Sequence, residues 1–139
     1  MIKNIIILLG LPGSGKGTQG EFISKELAIP HISTGDILRK MVHEGCKDSE
    51  LLATCMKEGK LIPDNLVNKL AKSFILSDTC KYGCVLDGYP RNLRQAEYFI
   101  ENIDANISTI FFDVSDDIAI KRILAAVKLR GSLSLKEKY

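Results

Sequence analysis

The apolar run Ile5-Ile6-Ile7-Leu8-Leu9 leads straight into Gly10-Leu11-Pro12-Gly13-Ser14-Gly15-Lys16-Gly17-Thr18. A run with no polar alternation requires a strand covered on both faces, the setting of a parallel sheet with helices on either side. The glycines after it let the chain turn tightly around an anion. Strand, glycine-rich turn and helix in that order bring successive backbone N–H groups onto a phosphate. The opening turn of the helix adds unpaired N–H groups and the positive end of its dipole, and Lys16 supplies an ammonium for the outer phosphates. A nucleoside triphosphate is therefore the first candidate ligand, cradled by Gly13, Ser14, Gly15, Lys16, Gly17 and Thr18. The generic motif places Ser or Thr directly after the lysine; Gly17 stands there and Thr18 follows, which marks a subtype.

The chain has 139 residues, 45% of them hydrophobic, enough for one substantial core and one domain. Nineteen Lys and Arg against 17 Asp and Glu leave a net charge of +2. Nothing in that balance resembles a basic stripe, so nucleic acid is not an expected partner. Cys46, Cys55, Cys80 and Cys84 form no close Cys-x-x-Cys pair of the zinc type, and Gly83 splits the last two with a turn. Reduced cysteines in a cytoplasmic protein are the expectation. The apolar start is too short to cross a membrane and no signal or targeting segment is apparent, which again points to the cytoplasm and away from a membrane.

Residues 15–27 read as a helix with Phe22, Ile23 and Leu27 as its apolar stripe, ended by Pro30. His31-Ile32-Ser33 is a short extended piece. Thr34 opens and caps a helix with Ile37, Leu38 and Met41 on one side, stopped by Gly45. A short helix covers 49–57, and Pro63 is expected as the first residue of another, with Leu66, Val67, Leu70, Phe74 and Ile75 at helical spacing. The small helices of 34–77 then form a substrate-side flap. Residues 84–87 make a second buried strand ending in Asp87, followed by the turn Gly88-Tyr89-Pro90-Arg91 and a helix over 93–100. Residues 109–112 form a third strand, and Asp116 caps a helix carrying Ile118, Ile120, Ile123 and Leu124. The tail from Arg130 is expected to extend or follow that helix or to fray, and Leu133 and Leu135 find a use only if they close a small part of the core. Repeated strand–turn–helix units define an α/β fold with a parallel sheet, whose ligands sit at the carboxyl ends of the strands. The glycine loop, Asp87 and Asp113 all fall at that edge.

A second anion site follows from Arg39, one turn beyond Asp36, and Arg91, directly after Pro90. Each guanidinium can grip a monophosphate bidentately and offset charge on a transferred phosphoryl group. Asp87 suits magnesium held through water. Gln95 can read an acceptor base with its amide, and Thr34 can touch the same base. His31 is expected to be structural, and Asp113 to support the strand ends.

These residues closely resemble the adenylate kinase family within the nucleoside monophosphate kinases. The resemblance runs through the glycine loop, Ile32-Ser33-Thr34-Gly35-Asp36-Ile37-Leu38-Arg39, Gly59-Lys60-Leu61-Ile62-Pro63-Asp64, Leu86-Asp87-Gly88-Tyr89-Pro90-Arg91, Gln95, and Phe112-Asp113-Val114-Ser115-Asp116 with Lys121-Arg122-Ile123. It implies a P-loop three-layer α/β/α fold with a parallel sheet over residues 1–139, incomplete at its C-terminal side and without a lid. It implies reversible transfer between ATP and AMP to give two ADP, with Mg2+, and a monomeric protein. Lys16, Arg91 and Asp87 take the catalytic roles, with Asp87 on the magnesium hydration shell. Arg122 lies beside the donor adenine. Thr34, Arg39, Lys60, Ile62, Gly88, Arg91 and Gln95 hold the acceptor. After Ile123 the family pattern Arg-Ile-x-Gly-Arg gives way to Leu124-Ala125-Ala126, and the lid arginines are missing. Two alternatives stay open beside the kinase: a nucleotide-binding remnant without turnover, and a UMP or CMP kinase. An open edge at the 109–112 strand implies self-association.

Overall fold

The computed structural model describes residues 3–45 and 47–136, with side chains through 129; Cys46, and with it the expectation of a reduced thiol there, lies outside the described residues. The strands are β1 (Lys3–Gly10), β2 (His31–Ser33), β3 (Gly83–Asp87) and β4 (Ala105–Phe112), and the helices are α1 (Lys16–Leu27), α2 (Thr34–His43), α3 (Ser49–Glu58), α4 (Asp64–Ile75), α5 (Leu93–Asn102) and α6 (Asp116–Lys136). All strand pairs are parallel, in the order β2-β3-β1-β4. The expected α/β architecture with a parallel sheet is what the chain forms. β1, the run without a polar face, is central, and Ile5 and Leu8 are each 1% exposed. Register aligns Leu8 with Asp87 and Ile110, and Asp87 with Ser33, so the carboxyl ends of the strands share one edge.

The core on one side of the sheet joins Ile5, Ile7, Leu86 and Tyr89 to Ile37, Leu38 and Leu52, to Leu66, Leu70 and Ile75 of α4, and to Phe99 of α5. Burial of the α4 stripe follows its helical spacing. Across the sheet, Leu8, Ile29 and Val85 meet Ile23 of α1. Here the sequence expectation is corrected: Phe22 and Leu27 are 59% and 54% exposed, and the buried residue of α1 is Gly20. A Cβ at Gly20 would stand 2.7 Å from His31 and 2.8 Å from Leu8, so α1 approaches the sheet along its smallest residue and turns its larger apolar side chains aside.

Boundaries move for identifiable reasons. Pro63 is the N-cap residue of α4 rather than its first helical residue, with ψ 139 still extended. Ser33, not Thr34, caps α2, its Oγ accepting from the Asp36 N–H at 3.1 Å. Ser115 stands ahead of α6 and its Oγ accepts from the Ile118 N–H at 3.4 Å, so Asp116 is the first helical residue instead of the cap. β4 begins at Ala105, well before Thr109, because the whole segment pairs with β1. α6 continues through Lys136, so the chain past Arg130 extends the helix; the side chains of Leu133 and Leu135 are outside the described residues. Ile118, Ile120, Ile123 and Leu124 are exposed, while Ala119 is buried, the one buried residue among the described side chains of α6.

Cys80 ends a short 3-10 turn, Asp78–Cys80, and Cys84 lies in β3, both fully buried as free thiols. The neighbouring Cys80 thiol and burial push the Cys84 thiol well above its ordinary range. Between them Gly83 has φ +123, and a Cβ there would fall 2.1 Å from the Asn4 carbonyl of β1. Gly59 also has a positive φ, +65, but faces open space. Gly83→Ala is therefore expected to cost about 3 kcal/mol or more, and Gly59→Ala about 1 kcal/mol, when their urea unfolding is compared with the wild type.

Candidate nucleotide site

The loop between β1 and α1 turns through a Ser14 N–H to Leu11 carbonyl bond of 3.0 Å. Gly13 has φ +80, and a Cβ on it would meet the Ala119 carbonyl at 2.6 Å, so the loop lies directly against α6. Arg122 on α6 closes that contact by donating from Nη1 to the Gly13 carbonyl at 3.3 Å. On this side Gly13, Ser14, Gly15, Thr18 and Arg122 line a cavity of about 670 Å³ with Phe112 and Val114. The Ser14 Oγ is buried and has no hydrogen-bond partner. A buried unpaired hydroxyl costs about 1–3 kcal/mol, which a bound acceptor would remove.

The other side of the loop faces the strand ends. Pro12 and Lys16 line a second cavity of about 550 Å³ with Ser33, Thr34, Asp87, Gly88 and Arg91. Lys16 Nζ lies folded onto the Leu11 carbonyl at 3.5 Å. Asp87 ends β3 at 18% side-chain exposure, with His31 Nε2 at 3.5 Å from Oδ2. The helix position after Lys16 abuts it: a Cβ on Gly17 would come 3.7 Å from the same oxygen. His31 Nε2 is buried and makes no hydrogen bond, so Asp87 keeps both oxygens available. A lone carboxylate beside a phosphate cradle fits a hard divalent cation that keeps most of its waters.

Thr34, Gly88 and Arg91 also line a third cavity of about 510 Å³, walled by Leu38, Lys60, Ile62, Val67 and Gln95. The second and third cavities therefore share one wall. Gly88, with φ +90, is its pivot: its carbonyl accepts from Thr34 Oγ1 at 2.7 Å and from Arg91 Nε at 2.7 Å. Thr34 thus ties α2 to the turn after β3. A second tie joins α4 to the same turn, since the Tyr89 hydroxyl donates to Asn68 Oδ1 at 2.8 Å. Burial pushes the Tyr89 phenol up to about 12.

Gln95 is buried in the wall, its Oε1 accepting from the Arg91 N–H and its Nε2 donating to Asp64 Oδ1, each at 2.8 Å. Asp64 and Asn92, which sequence reasoning did not single out as functional, complete this network; the signal that could have found them is their place beside Pro63 and Arg91, in motifs already singled out. Arg39 stands apart. Its side chain is 63% exposed, it bonds Asp36 Oδ1 at 2.6 Å, and it is not among the residues lining the three cavities. Asp113 is exposed just past β4. Among the described residues no group of three or more His, Cys, Asp and Glu is placed to hold a metal, and no helix is long and apolar enough to cross a membrane.

A glycine loop between a central parallel strand and its helix, with a carboxylate at the next strand end, defines the chain as a phosphate-loop α/β protein. The family model for adenylate kinase matches residues 8–136, and the chain belongs to the adenylate kinase family. It is 45% identical over 135 residues to the adenylate kinase of Rickettsia africae and 49% identical over 135 residues to that of Rickettsia bellii. Each match covers 97% of this chain and 64% of the relative. The chain thus spans somewhat under two thirds of the length of these relatives.

The Ser33 hydroxyl and then the Arg39 guanidinium hold the Asp36 carboxyl below its ordinary range. The stabilisation from this group is complete above about pH 4, the usual carboxylate value, and is lost as pH falls through the lowered folded value. The stability gap between the wild type and Asp36→Ala is accordingly expected to narrow on acidification, in urea titrations run from about pH 6 to pH 2.

Proposed function

We propose that this chain binds ATP on the glycine loop and AMP in the cavity behind Gly88, and that the function of the protein is phosphoryl transfer between them to give two ADP. The observation that carries the reading is the wall common to the second and third cavities. It sets Lys16 and Asp87 on one side of Thr34, Gly88 and Arg91, and Lys60, Ile62 and Gln95 on the other. Membership of the adenylate kinase family supports the same pair of substrates.

In this reading Gly13, Ser14, Gly15, Gly17 and Thr18 hold the donor phosphates through the loop and the start of α1, with Arg122 beside the donor base. Lys16 leaves the Leu11 carbonyl for the outer phosphates. Asp87 would hold Mg2+ through the ion's water shell, and the bound ion would supply positive charge to offset that of the donor phosphates. Arg91 and Arg39 grip the acceptor phosphate, Arg39 by exchanging Asp36 for it, and Thr34, Lys60, Ile62 and Gly88 form the pocket around the acceptor. An acceptor phosphate oxygen attacks the terminal phosphorus while the bond from that phosphorus to the bridging oxygen of the donor breaks. The attacking oxygen is already ionised near neutral pH, so no general base is required. Alignment and positive charge carry the step.

The test is ADP formation from ATP and AMP with and without Mg2+, run beside calorimetric binding of each nucleotide. Turnover that needs Mg2+ and disappears in Lys16→Ala supports the kinase. Binding without turnover supports a nucleotide-binding protein, and faster transfer to UMP or CMP would reassign the acceptor. Lys16→Ala is expected to weaken ATP binding by about tenfold or more, the scale of one charge-assisted phosphate contact, and Arg39→Ala to leave it within about twofold. Equal losses would count against two separate phosphate sites.

A cytoplasmic setting is part of the proposal, supported by the free thiols of Cys55, Cys80 and Cys84. So is self-association: among the described residues β4 pairs on one side only, and its residues Ala105–Phe112 carry no charge. Sedimentation velocity over a concentration series is expected to show association that Thr109→Lys lowers; a monomer at every concentration would remove this part.

A further inference from the structure

We propose that Asp64 is a specificity-positioning residue: its carboxylate fixes which way round the Gln95 amide faces the acceptor pocket, and thereby selects a 6-amino over a 6-oxo purine monophosphate. The proposal rests on the reading of the third cavity as the acceptor pocket.

A glutamine amide has two ends of nearly equal size and opposite hydrogen-bonding character, so an unrestrained one turns over to suit either kind of ligand. Gln95 is restrained from two directions. A backbone N–H can only donate, so the end facing Arg91 must be the carbonyl, and Oε1 accepts there at 2.8 Å. An ionised carboxylate can only accept, so the end facing Asp64 must be the NH2, and Nε2 donates to Oδ1 at 2.8 Å. Both constraints choose the same orientation. Turning the amide over would set NH2 against N–H and carbonyl against carboxylate, leaving two mismatched pairs at a residue only 5% exposed.

Asp64 is itself held in place. Asn92 Nδ2 donates to the same Oδ1 at 3.0 Å, and Asn92 Oδ1 accepts from the Gln95 N–H at 2.9 Å as the cap of α5. First residue of α4, cap of α5 and base reader thus form a closed ring of hydrogen bonds. The Asn92 and Gln95 amides hold the Asp64 carboxyl below its ordinary range, so it remains an acceptor at neutral pH.

With one site on each amide end already used, Gln95 has one lone pair and one hydrogen left for a ligand. Adenine presents an amino donor beside a ring-nitrogen acceptor, which such an amide matches; a 6-oxo purine presents an acceptor where adenine has its donor. Only a turned amide would suit the oxo base, and Asp64 is the replaceable half of what prevents the turn. The other half is main chain.

Dissociation constants for AMP and IMP, measured by calorimetry without turnover, test this on the intact chain. The wild type is expected to prefer AMP. Asp64→Ala should cut that preference by about tenfold, the scale of one bidentate amide–base contact. Asp64→Asn should retain most of it, because the Asn92 Nδ2 donor holds the oxygen end of the new amide at the Oδ1 position. Asp64→Ser, a favourable residue at a helix start with too short a reach for Gln95, should lose the preference as alanine does and stands in if the alanine variant does not fold. A merely structural role would weaken both monophosphates alike, so an unchanged ratio in Asp64→Ala or Asp64→Ser overturns the proposal, as does a wild type that binds the two equally. A wild type that binds neither overturns the acceptor pocket itself.

Discussion

Parallel pairing of β1 with β3 and β4 is the constraint from which the site follows. A central strand that is apolar from Ile5 to Leu9 must be covered on both faces, and parallel neighbours require crossovers that supply that cover. The crossovers start from the carboxyl ends, so every turn that leaves a strand lies at one edge. Registry of Leu8 with Asp87, and of Asp87 with Ser33, then sets the glycine loop, the carboxylate and the start of α2 side by side. None of these groups is near another in sequence. Their meeting is a property of the sheet, and any change that slips β3 against β1 would dismantle the cavity before it altered a single functional side chain.

Helices α2 and α4 pack on the core through Ile37, Leu38, Leu66 and Leu70, and polar ties attach them to this edge as well. Thr34 to Gly88, Tyr89 to Asn68, and Asp64 to Gln95 and Asn92 all connect α2 or α4 to the β3–α5 turn. A buried hydrogen bond adds only about 1 kcal/mol net, yet leaving one partner unpaired costs more, so such ties specify a position more strongly than they stabilise it. The third cavity lies between the elements they join, so its walls are placed by directional contacts as well as by packing.

Much of this was legible beforehand because it rests on local rules. Continuous apolar character marks β1, glycine chemistry marks the loop, and the spacing of Leu66, Val67, Leu70 and Ile75 marks the buried side of α4. What was not legible depends on tertiary distance. Phe22 and Leu27 look like core residues by period, but the slot at Gly20 rotates α1 so that they face outward. Thr34 has the composition of a cap, and Ser33 performs the capping because Thr34 Oγ1 is drawn to a carbonyl 54 positions away. Asp64 looked like part of a motif; its use depends on α4 and α5 starting at the same place, which no periodicity encodes.

The three cations assigned to phosphate share a further feature. Lys16 sits on the Leu11 carbonyl, Arg91 on the Gly88 carbonyl and Arg39 on Asp36. Two of these partners are neutral carbonyls, and a phosphate would replace each with a charged acceptor, for which hydrogen bonds are roughly twice as strong. Arg39 differs because it must give up a carboxylate, an exchange of one anion for another with little net gain. In the proposed reading Lys16 and Arg91 therefore supply affinity. Arg39 is placed to supply discrimination, since only an anion that offers a better fork than Asp36, or a second contact elsewhere in the pocket, makes the exchange favourable.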